Sequence, residues 1–246
     1  MLSKRQLCSP LVAGILLVLP LVTIVADGLL QKLGDEGAPM AARALFDSVV
    51  HVALGCLAWA AVTVHRNFGR RFWWELSMAA AFSAGVDVDH FIAARSFALK
   101  DALHMPTPPP FHDISLSFLF FLVSLLQYCT NRGKRWQLRY HLLQMSTMLA
   151  VHLCRDAARR GLHVAYLVTI PPGEPFGLFP FFLPFFPLLT RAVLMLAETE
   201  SSLGSWRTGD DECRAAGEDR KNSSVNPKIS DCDAHLDDLS YQAMFY

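Results

Sequence analysis

The first 200 residues contain long stretches without a charged side chain. Gln6 to Ala26 is a run of 21 such residues, and Ser48 to His65 and Ile114 to Asn131 are runs of 18. About 20 helical residues, at a rise of about 1.5 Å each, cross the roughly 30 Å of bilayer hydrocarbon. Three runs of this length therefore predict a multi-pass α-helical membrane protein rather than a soluble one.

We predict an all-α fold, a polytopic membrane helix bundle of five or six transmembrane helices within residues 1–200. The first run is longer than the apolar region of a cleaved signal peptide, about 7–15 residues, so we expect it to be retained. Prolines in the last span remove backbone donors and predict a kinked, broken or re-entrant segment. The predicted spans cover residues 8–30, 44–64, 72–94, 113–130, 136–154 and 175–197.

Residues 201–246 differ in character from the rest of the chain. They contain nine acidic and five basic residues among many serines, asparagines and glycines. A segment of this composition has too little apolar surface to offset the entropy of ordering its backbone. We therefore predict a disordered polar C-terminal tail.

The overall composition is that of a membrane protein. The chain is 52% hydrophobic and 18% charged, whereas soluble domains are about 25% charged. Lys and Arg number 22, as do Asp and Glu, so there is no basic excess of the kind that indicates nucleic-acid binding. The expected partner is the lipid bilayer. Six cysteines without a Cys-x-x-Cys pair predict neither a disulfide framework nor a zinc ribbon.

The distribution of Lys and Arg among the predicted loops indicates an orientation, because these residues favour the cytoplasmic side. The N-terminus and the loops after spans two and four hold nine of them, and the alternate loops hold seven. The first two alternate loops also contain Asp35, Glu36 and Asp101. We therefore predict a cytoplasmic N-terminus and, with six spans, a cytoplasmic tail. The organelle is not indicated.

Aspartates and histidines form four groups that this orientation places at one membrane face, opposite the cytoplasm. Asp47 and His51 on span two are four residues apart, as are His152 and Asp156 on span five, so each pair shares a helix face. Two carboxylates within an apolar span cost roughly 2.5–3.5 kcal/mol each at mid-membrane and need partners. The groups are Asp47 and His51; Asp87, Asp89 and His90; His112; and His152 and Asp156.

Carboxylates and imidazoles together suit a divalent metal such as Zn²⁺, Mn²⁺ or Fe²⁺. Carboxylates shared between two ions would suit a hydrolytic two-metal site. The alternative is that these side chains cap helices, pair across them or extend to the interface. The candidate metal ligands are Asp87, Asp89, His90, His112, His152 and Asp156, with Asp47 and His51 as additional candidates.

Arg159 is a candidate phosphate-binding residue. It shares a helical face with His152 and Asp156, and guanidinium groups bind phosphate through two parallel hydrogen bonds. A lipid headgroup would be the natural source of that phosphate. The alternative is an ion pair between Asp156 and Arg160 on one helix, with the other arginines facing lipid phosphates.

Several segments resemble the transmembrane protein 267 family of animals, with matching order and spacing from about Ala26 to about Gly177. The resemblance implies a multi-pass membrane protein and assigns no activity. A more distant likeness is to bacterial inner-membrane proteins described as metal-dependent hydrolases. It implies a metal site at the six candidate ligands, although this chain lacks one His and a Thr of their central element near Pro110–Ser115. The resembling segments are Arg43–His51, Asp87–Phe91, Ser96–Leu103, Pro110–His112 and His152–Gly161.

Three functional classes follow for a multi-pass protein with a candidate acidic and histidine-rich metal site at its non-cytoplasmic face. The first is a membrane-embedded metal-dependent hydrolase acting on lipid or phosphate-containing substrates. The second is an ion or proton carrier, which would need a polar path across the membrane, where Glu75 is one of few polar residues on the cytoplasmic half. The third is a structural or interaction protein without catalysis. The sequence leaves open whether the chain is an enzyme.

Overall fold

The computed structural model describes most of the membrane region, in one compact unit. The tail predicted for 201–246 lies outside the described residues, as does the start of the sixth predicted span. The described ranges are 9–64, 69–103, 105, 109–130, 136–171 and 179–197.

Helices make up almost all of these ranges, which confirms the all-α membrane bundle. A single 3₁₀ turn, Pro110–His112, precedes α6, and a two-stranded hairpin follows α7. The helices are α1 Pro10–Asp35, α2 Met40–Thr63, α3 Arg70–Gly85, α4 Val88–Ala94, α5 Leu99–Leu103, α6 Ile114–Thr130, α7 Trp136–Arg160, α8 Phe179–Phe182 and α9 at 185–197; the strands are β1 Leu162–Val164 and β2 Val168–Ile170.

The first two helices form an antiparallel pair joined by a short turn. The Ser9 hydroxyl accepts a hydrogen bond from the Val12 N–H, and Pro10 occupies the first helical position, where its missing donor costs nothing. Gly37 lies just past the end of α1 with φ of 72°, a conformation that glycine adopts without strain. The turn brings Asp27 on α1 to the same end of the bundle as Asp47 on α2.

The contact between α2 and α3 depends on a glycine. A Cβ atom added at Gly55 would lie 1.9 Å from the Ser83 hydroxyl oxygen and 3.2 Å from the Met148 sulfur. The two helix backbones therefore approach closely at this level. Leu54, Ala58 and Trp59 on α2 are fully buried beside this contact.

Helix α7 lies at the centre of the bundle and contacts α2, α3 and α6. Its polar residues Gln144, Ser146 and Thr147 are buried and hydrogen-bonded. The Gln144 amide donates to the Glu75 carbonyl, and the Ser146 hydroxyl donates to the Ser117 carbonyl. Because other helices shield α7 from lipid, it does not need an apolar surface.

Three described helical segments are long and apolar enough to cross a membrane: Pro10–Asp35, Met40–Thr63 and Pro180–Ala197, the last made of α8 and α9. The other three predicted spans differ from expectation. The span at 72–94 is divided between α3 and α4, and the apolar part of the fourth, Ile114–Gln127, is short. The fifth continues to Arg160 and is polar because it is enclosed. The proline-rich sixth span has a turn at 183–184, as its prolines predict.

The hairpin was not expected in an all-α fold. Gly161, with φ of 87°, ends α7, and β1 then pairs antiparallel with β2. Ala165 and Tyr166 in the turn have φ of 51° and 55°, which is strained for residues with a side chain. The Asp113 carboxylate holds them there, because it accepts hydrogen bonds from both backbone N–H groups.

Candidate metal centre

The eight predicted Asp and His residues converge at one end of the bundle. They come from four segments that are distant in the sequence: the start of α2, the junction of α3 and α4, the 3₁₀ turn before α6, and the end of α7. His51, Asp89, His112, His152 and Asp156 are buried. The residues that the sequence analysis grouped together thus form one continuous cluster.

The interruption after Gly85 positions the acidic residues of the third predicted span. Asp87 precedes α4 as its N-cap, but its side chain makes no capping hydrogen bond. Its carboxylate instead faces the cluster, with Oδ1 at 3.4 Å from His152 Nε2 and 3.9 Å from His112 Nε2. The geometry therefore disfavours helix capping as the role of Asp87.

His90 and His112 are held so that their Nε2 atoms face each other at 3.3 Å. The Ala102 carbonyl lies 3.0 Å from His90 Nδ1. Because a carbonyl only accepts, that Nδ1 carries a proton, and in the neutral ring Nε2 then has a lone pair. His112 Nδ1 lies 3.4 Å from the Asp89 carboxylate, which fixes the same tautomer by the same argument.

His51 and His152 form the other imidazole pair, stacked with ring centroids 3.7 Å apart. All four ring nitrogens are buried without a hydrogen-bond partner. Carboxylates are nevertheless close, with His51 Nε2 at 3.2 Å from Asp156 Oδ1 and His152 near Asp87. Buried polar atoms without hydrogen bonds are rare and call for an explanation such as a bound ion.

Three pairs of these atoms lie at the spacing of two ligands on one tetrahedral ion. Zn²⁺ with ligands at 2.0–2.1 Å places its ligand atoms about 3.3 Å apart. The His51–Asp156, His152–Asp87 and His90–His112 pairs lie at 3.2, 3.4 and 3.3 Å. The triads whose donor atoms all lie within 4.8 Å of one another are His51, Asp87 and His152; Asp87, His90 and His112; His112, His152 and Asp156; and Asp47, His51 and Asp156.

Asp89 was predicted as a metal ligand, but the structure places it behind the candidate ligands. It belongs to none of these triads in the described part of the chain. Its Oδ2 accepts a hydrogen bond of 2.5 Å from the Phe111 N–H and lies beside His112 Nδ1. Asp89 thus lies behind a candidate ligand and orients it, as second carboxylates do at many metal–histidine sites.

A layer of arginines from α7 covers the acidic side of the cluster. Arg155 is completely buried, with NH2 at 2.9 Å from Asp27 Oδ1 and NH1 at 2.6 Å from Asp47 Oδ1. Arg160 NH1 lies 3.1 Å from Asp156 Oδ2, which is the ion pair considered from the sequence. Three guanidinium groups therefore balance the charges of Asp27, Asp47 and Asp156.

Arg159, the candidate phosphate ligand, is part of this layer. Its NH2 lies 2.7 Å from Asp156 Oδ1 and 3.0 Å from Asp47 Oδ1, while its Nε has no hydrogen-bond partner and lies 3.7 Å from Asp27 Oδ1. The side chain is 22% exposed and lines a cavity beside α1. One side of Arg159 therefore contacts the cluster, and the other side faces open space.

Asp113 fastens the hairpin over the segment that carries His112. Its carboxylate accepts hydrogen bonds from the backbone N–H groups of Tyr166, Ser115 and Ala165. The Tyr166 hydroxyl donates to the Pro110 carbonyl. The hairpin and the 3₁₀ turn thus support each other.

Curated proteins named transmembrane protein 267 are similar in sequence to this chain. The zebrafish protein is 34% identical over 123 residues, 50% of this chain and 54% of that protein, and the mouse protein is 31% identical over 134 residues, 53% and 59%. The Xenopus laevis protein is 30% identical over 162 residues, 64% of this chain and 71% of that protein. The chain belongs to the transmembrane protein 267 family.

Membership in the transmembrane protein 267 family agrees with the apolar helices and establishes a multi-pass membrane protein. The match covers less than two thirds of the zebrafish and mouse proteins. No family model matches the chain, and no solved structure matches it. The geometry of the centre is therefore the main guide to the activity of this transmembrane protein 267 homologue.

Two residues of the centre were not identified from the sequence. Asp27 lies near the end of the first predicted span and was not recognised as a partner of the cluster. Arg155 was counted only as a loop charge, yet it joins α7 to both α1 and α2. The sequence signal for Asp27 was its position as a single Asp beside a long apolar run. An intramembrane carboxylate needs a partner, so this position indicated a buried contact.

Proposed function

We propose that this protein is a membrane-embedded metal-dependent hydrolase that binds two divalent ions in the Asp–His cluster. The observation that carries the proposal is the set of buried imidazole nitrogens without hydrogen-bond partners, placed beside carboxylates at the spacing of metal ligands. Ion pairing through Nε2 alone leaves the Nδ1 atoms of His51 and His152 buried without a partner.

The ligands divide into two sets that share a carboxylate. His51, Asp87 and His152 form one set, and Asp87, His90 and His112 form the other. Asp87 Oδ1 faces imidazoles of both sets, so it would be shared between the two ions. Two ions about 3.5–4 Å apart, joined by a carboxylate, are typical of hydrolytic centres.

The donor atoms indicate which ions fit. All ligands in the four triads are imidazole nitrogens or carboxylate oxygens, which suit Zn²⁺, Mn²⁺ and Fe²⁺. Carboxylate-only sets would favour Mg²⁺ or Ca²⁺, and thiolates would favour softer ions. Asp156 and Asp47 are already neutralised by arginines, so we place them next to the ions as secondary ligands.

Divalent ions in such a centre lower the pKa of bound water and neutralise charge that develops on the substrate. The protein supplies fixed ligands, a largely buried site, and arginines at its edge. In hydrolysis the water oxygen bonds to the phosphorus or acyl carbon, the bond to the leaving oxygen breaks, and a water proton passes to that oxygen. Arg159, which lies partly open at this edge, is suited to hold an anionic substrate.

We further propose that the N-terminus is cytoplasmic and that the centre lies at the opposite membrane face. The Lys and Arg counts support this orientation. The polar residues at the other end of the bundle are engaged with one another: Arg71 Nε lies 3.0 Å from Glu75 Oε1, and the Tyr140 hydroxyl donates to the same carboxylate. The buried polar residues of α7 between the two groups, Ser146 and Thr147, are hydrogen-bonded to Ser117 and Thr190, which favours a fixed site over a carrier path.

The test is hydrolysis by the purified full-length protein in detergent, supplied with Zn²⁺ or Mn²⁺. The probes are a chromogenic phosphate ester and a chromogenic carboxyl ester. His152→Gln removes a ligand of α7, and His141→Gln, an exposed histidine on the same helix, is the matched control. We expect chelator-sensitive activity in wild type and control and at least a hundredfold loss in His152→Gln. Activity that survives both chelation and His152→Gln would contradict the proposal.

A further inference from the structure

A cavity of about 470 Å³ lies between α1 and the start of α2, next to the metal centre. This volume falls within the range of small-molecule sites, about 300–1,000 Å³. Arg43 and Arg159 line one part of it together with the carboxylate of Asp27, which is paired with Arg155, and Gly28, Leu30 and Gly34 on α1 line another. A Cβ atom at Gly28 would meet nothing within 4 Å, so there is free space at this position.

Arg43 has unmet hydrogen-bonding capacity at this cavity. Its Nε is buried without a hydrogen-bond partner, and its NH1 packs 3.4 Å from the Cβ position of Gly34. Among the described residues it forms no ion pair. A buried guanidinium donor without an acceptor is costly, and the acceptor that completes it is a carboxylate or phosphate.

Arg159 provides a second guanidinium group to the same cavity from a different helix. Its NH2 contacts Asp156 and Asp47, and its Nε, which has no hydrogen-bond partner, lies 3.7 Å from Asp27 Oδ1. Two planar cations facing one space can hold the several oxygens of a phosphate group. The cavity thus has the donors of an anion site, and one of these arginines contacts the metal centre.

The charge balance of the region favours an anion as well, and this step rests on the proposed function. The cluster and cavity contain one more carboxylate than guanidinium group, so with neutral histidines the net charge is −1. Two divalent ions would change this to +3, which a largely buried site does not tolerate without a counter-ion. The carboxylates are Asp27, Asp47, Asp87, Asp89 and Asp156, and the arginines are Arg43, Arg155, Arg159 and Arg160.

The surroundings indicate that the anion belongs to a lipid. Leu21, Ile24, Val25 and Leu29 on α1 are about half exposed and form an apolar surface that continues to Leu30 in the cavity. An acyl chain can lie along this surface while its headgroup enters the cavity. We propose that the cavity binds the phosphate group of a membrane lipid through Arg43 and Arg159 and presents it to the metal centre as substrate.

The test measures binding of dioctanoyl phosphatidic acid to the full-length protein in detergent by thermophoresis. Dioctanoylglycerol has the same chains without phosphate, and inorganic phosphate has the charge without chains. Arg43→Gln removes the donors, and Lys32→Gln, at an exposed lysine on α1, is the matched control. Gly28→Leu fills the cavity without removing a charge and favours helix, and Gly14→Leu, also in open space on α1, is its control.

We expect phosphatidic acid to bind, dioctanoylglycerol not to bind, and affinity to fall at least tenfold in both Arg43→Gln and Gly28→Leu but not in either control. Equal affinity for inorganic phosphate would overturn the lipid source. Unchanged affinity in Arg43→Gln or in Gly28→Leu would overturn the cavity assignment. Metal content measured on the same samples separates the two proposals: Arg43-dependent binding by protein that takes up no metal would support this cavity and refute the metal centre.

Discussion

The Nε2 atoms of His90 and His112 face each other at 3.3 Å while the Nδ1 atom of each ring is engaged by an acceptor. If both imidazoles are neutral, two lone pairs point at one another, which is unfavourable without a positive charge between them. Either a shared proton or a metal ion removes the repulsion. The nearby Asp87 carboxylate offers a third candidate ligand, as the proposed metal centre requires.

Asp89 tests whether orientation of His112 matters separately from ligation. Asp89→Asn places an amide donor or a neutral acceptor beside Nδ1 and weakens control of the tautomer. We expect metal affinity to fall about 10–100-fold, which is typical of outer-shell changes. Competition with a chromogenic chelator measures this.

Asp101→Asn is the matched control for Asp89, because Asp101 is an acidic residue on α5 whose carboxylate accepts a hydrogen bond from the Ser96 hydroxyl at an exposed site. Its affinity should equal that of wild type. The assigned role of Asp89 is wrong if Asp89→Asn binds metal as tightly as this control.

Arg155 should contribute to stability because it is fully buried between Asp27 and Asp47. Arg155→Met leaves both carboxylates without their main cation, which typically costs about 3–5 kcal/mol. We expect a clear fall in Tm. Adding Asp27→Asn should recover part of the loss, whereas an exposed change, Arg95→Met, should leave Tm unchanged. No rescue in the double variant would contradict the pairing.

Gly55 should be required for close packing of α2 against α3. Gly55→Ala brings a methyl group into the Ser83 side chain, and overpacking of this kind costs about 1–3 kcal/mol. Thermal unfolding should show a lower Tm for Gly55→Ala and recovery in Gly55→Ala with Ser83→Gly. Gly14→Ala, at an open position of α1, is the control, and an equal Tm in Gly55→Ala and Gly14→Ala would exclude a close contact.

Asp113 should be required for order in the hairpin. Asp113→Ala removes the acceptor for the Ala165 and Tyr166 N–H groups, which have positive φ. Hydrogen exchange across Leu162–Ile170 should become faster, and exchange in α7 before Arg160 should not change. Equal protection of the hairpin N–H groups in Asp113→Ala and in the wild type would contradict this role of Asp113.

Local sequence patterns predicted the membrane helices well where each helix faces lipid. Both α1 and α2 agree with the predicted spans to within a few residues, because lipid contact requires a long apolar surface. The pattern was less informative for α7, whose hydrogen-bonding residues are enclosed by other helices. It also did not indicate the break after Gly85, where Asp87 turns towards residues of α7 far away in the sequence.

The candidate residues of the centre were predicted from residue type and helical spacing. These two properties do not determine where each side chain lies within the cluster. Asp87 and Asp89 are two positions apart, yet one faces the imidazoles and the other lies behind His112. The partners that separate them, Phe111 and His152, are distant in the sequence. Asp27 and Arg155 were missed because their pairing depends on how α1 packs against α7.

The most direct test of the central claim is the metal-to-protein ratio of the full-length protein. The wild-type protein is purified without chelators and exposed to Zn²⁺ or Mn²⁺. It is compared with the Asp87→Asn variant and with His141→Gln as the control. Because Asp87 belongs to both ligand sets, the account predicts about two ions per chain in wild type and control and loss of both in Asp87→Asn, with the protein still folded. No bound metal in the wild type, or two ions retained in Asp87→Asn, would contradict it.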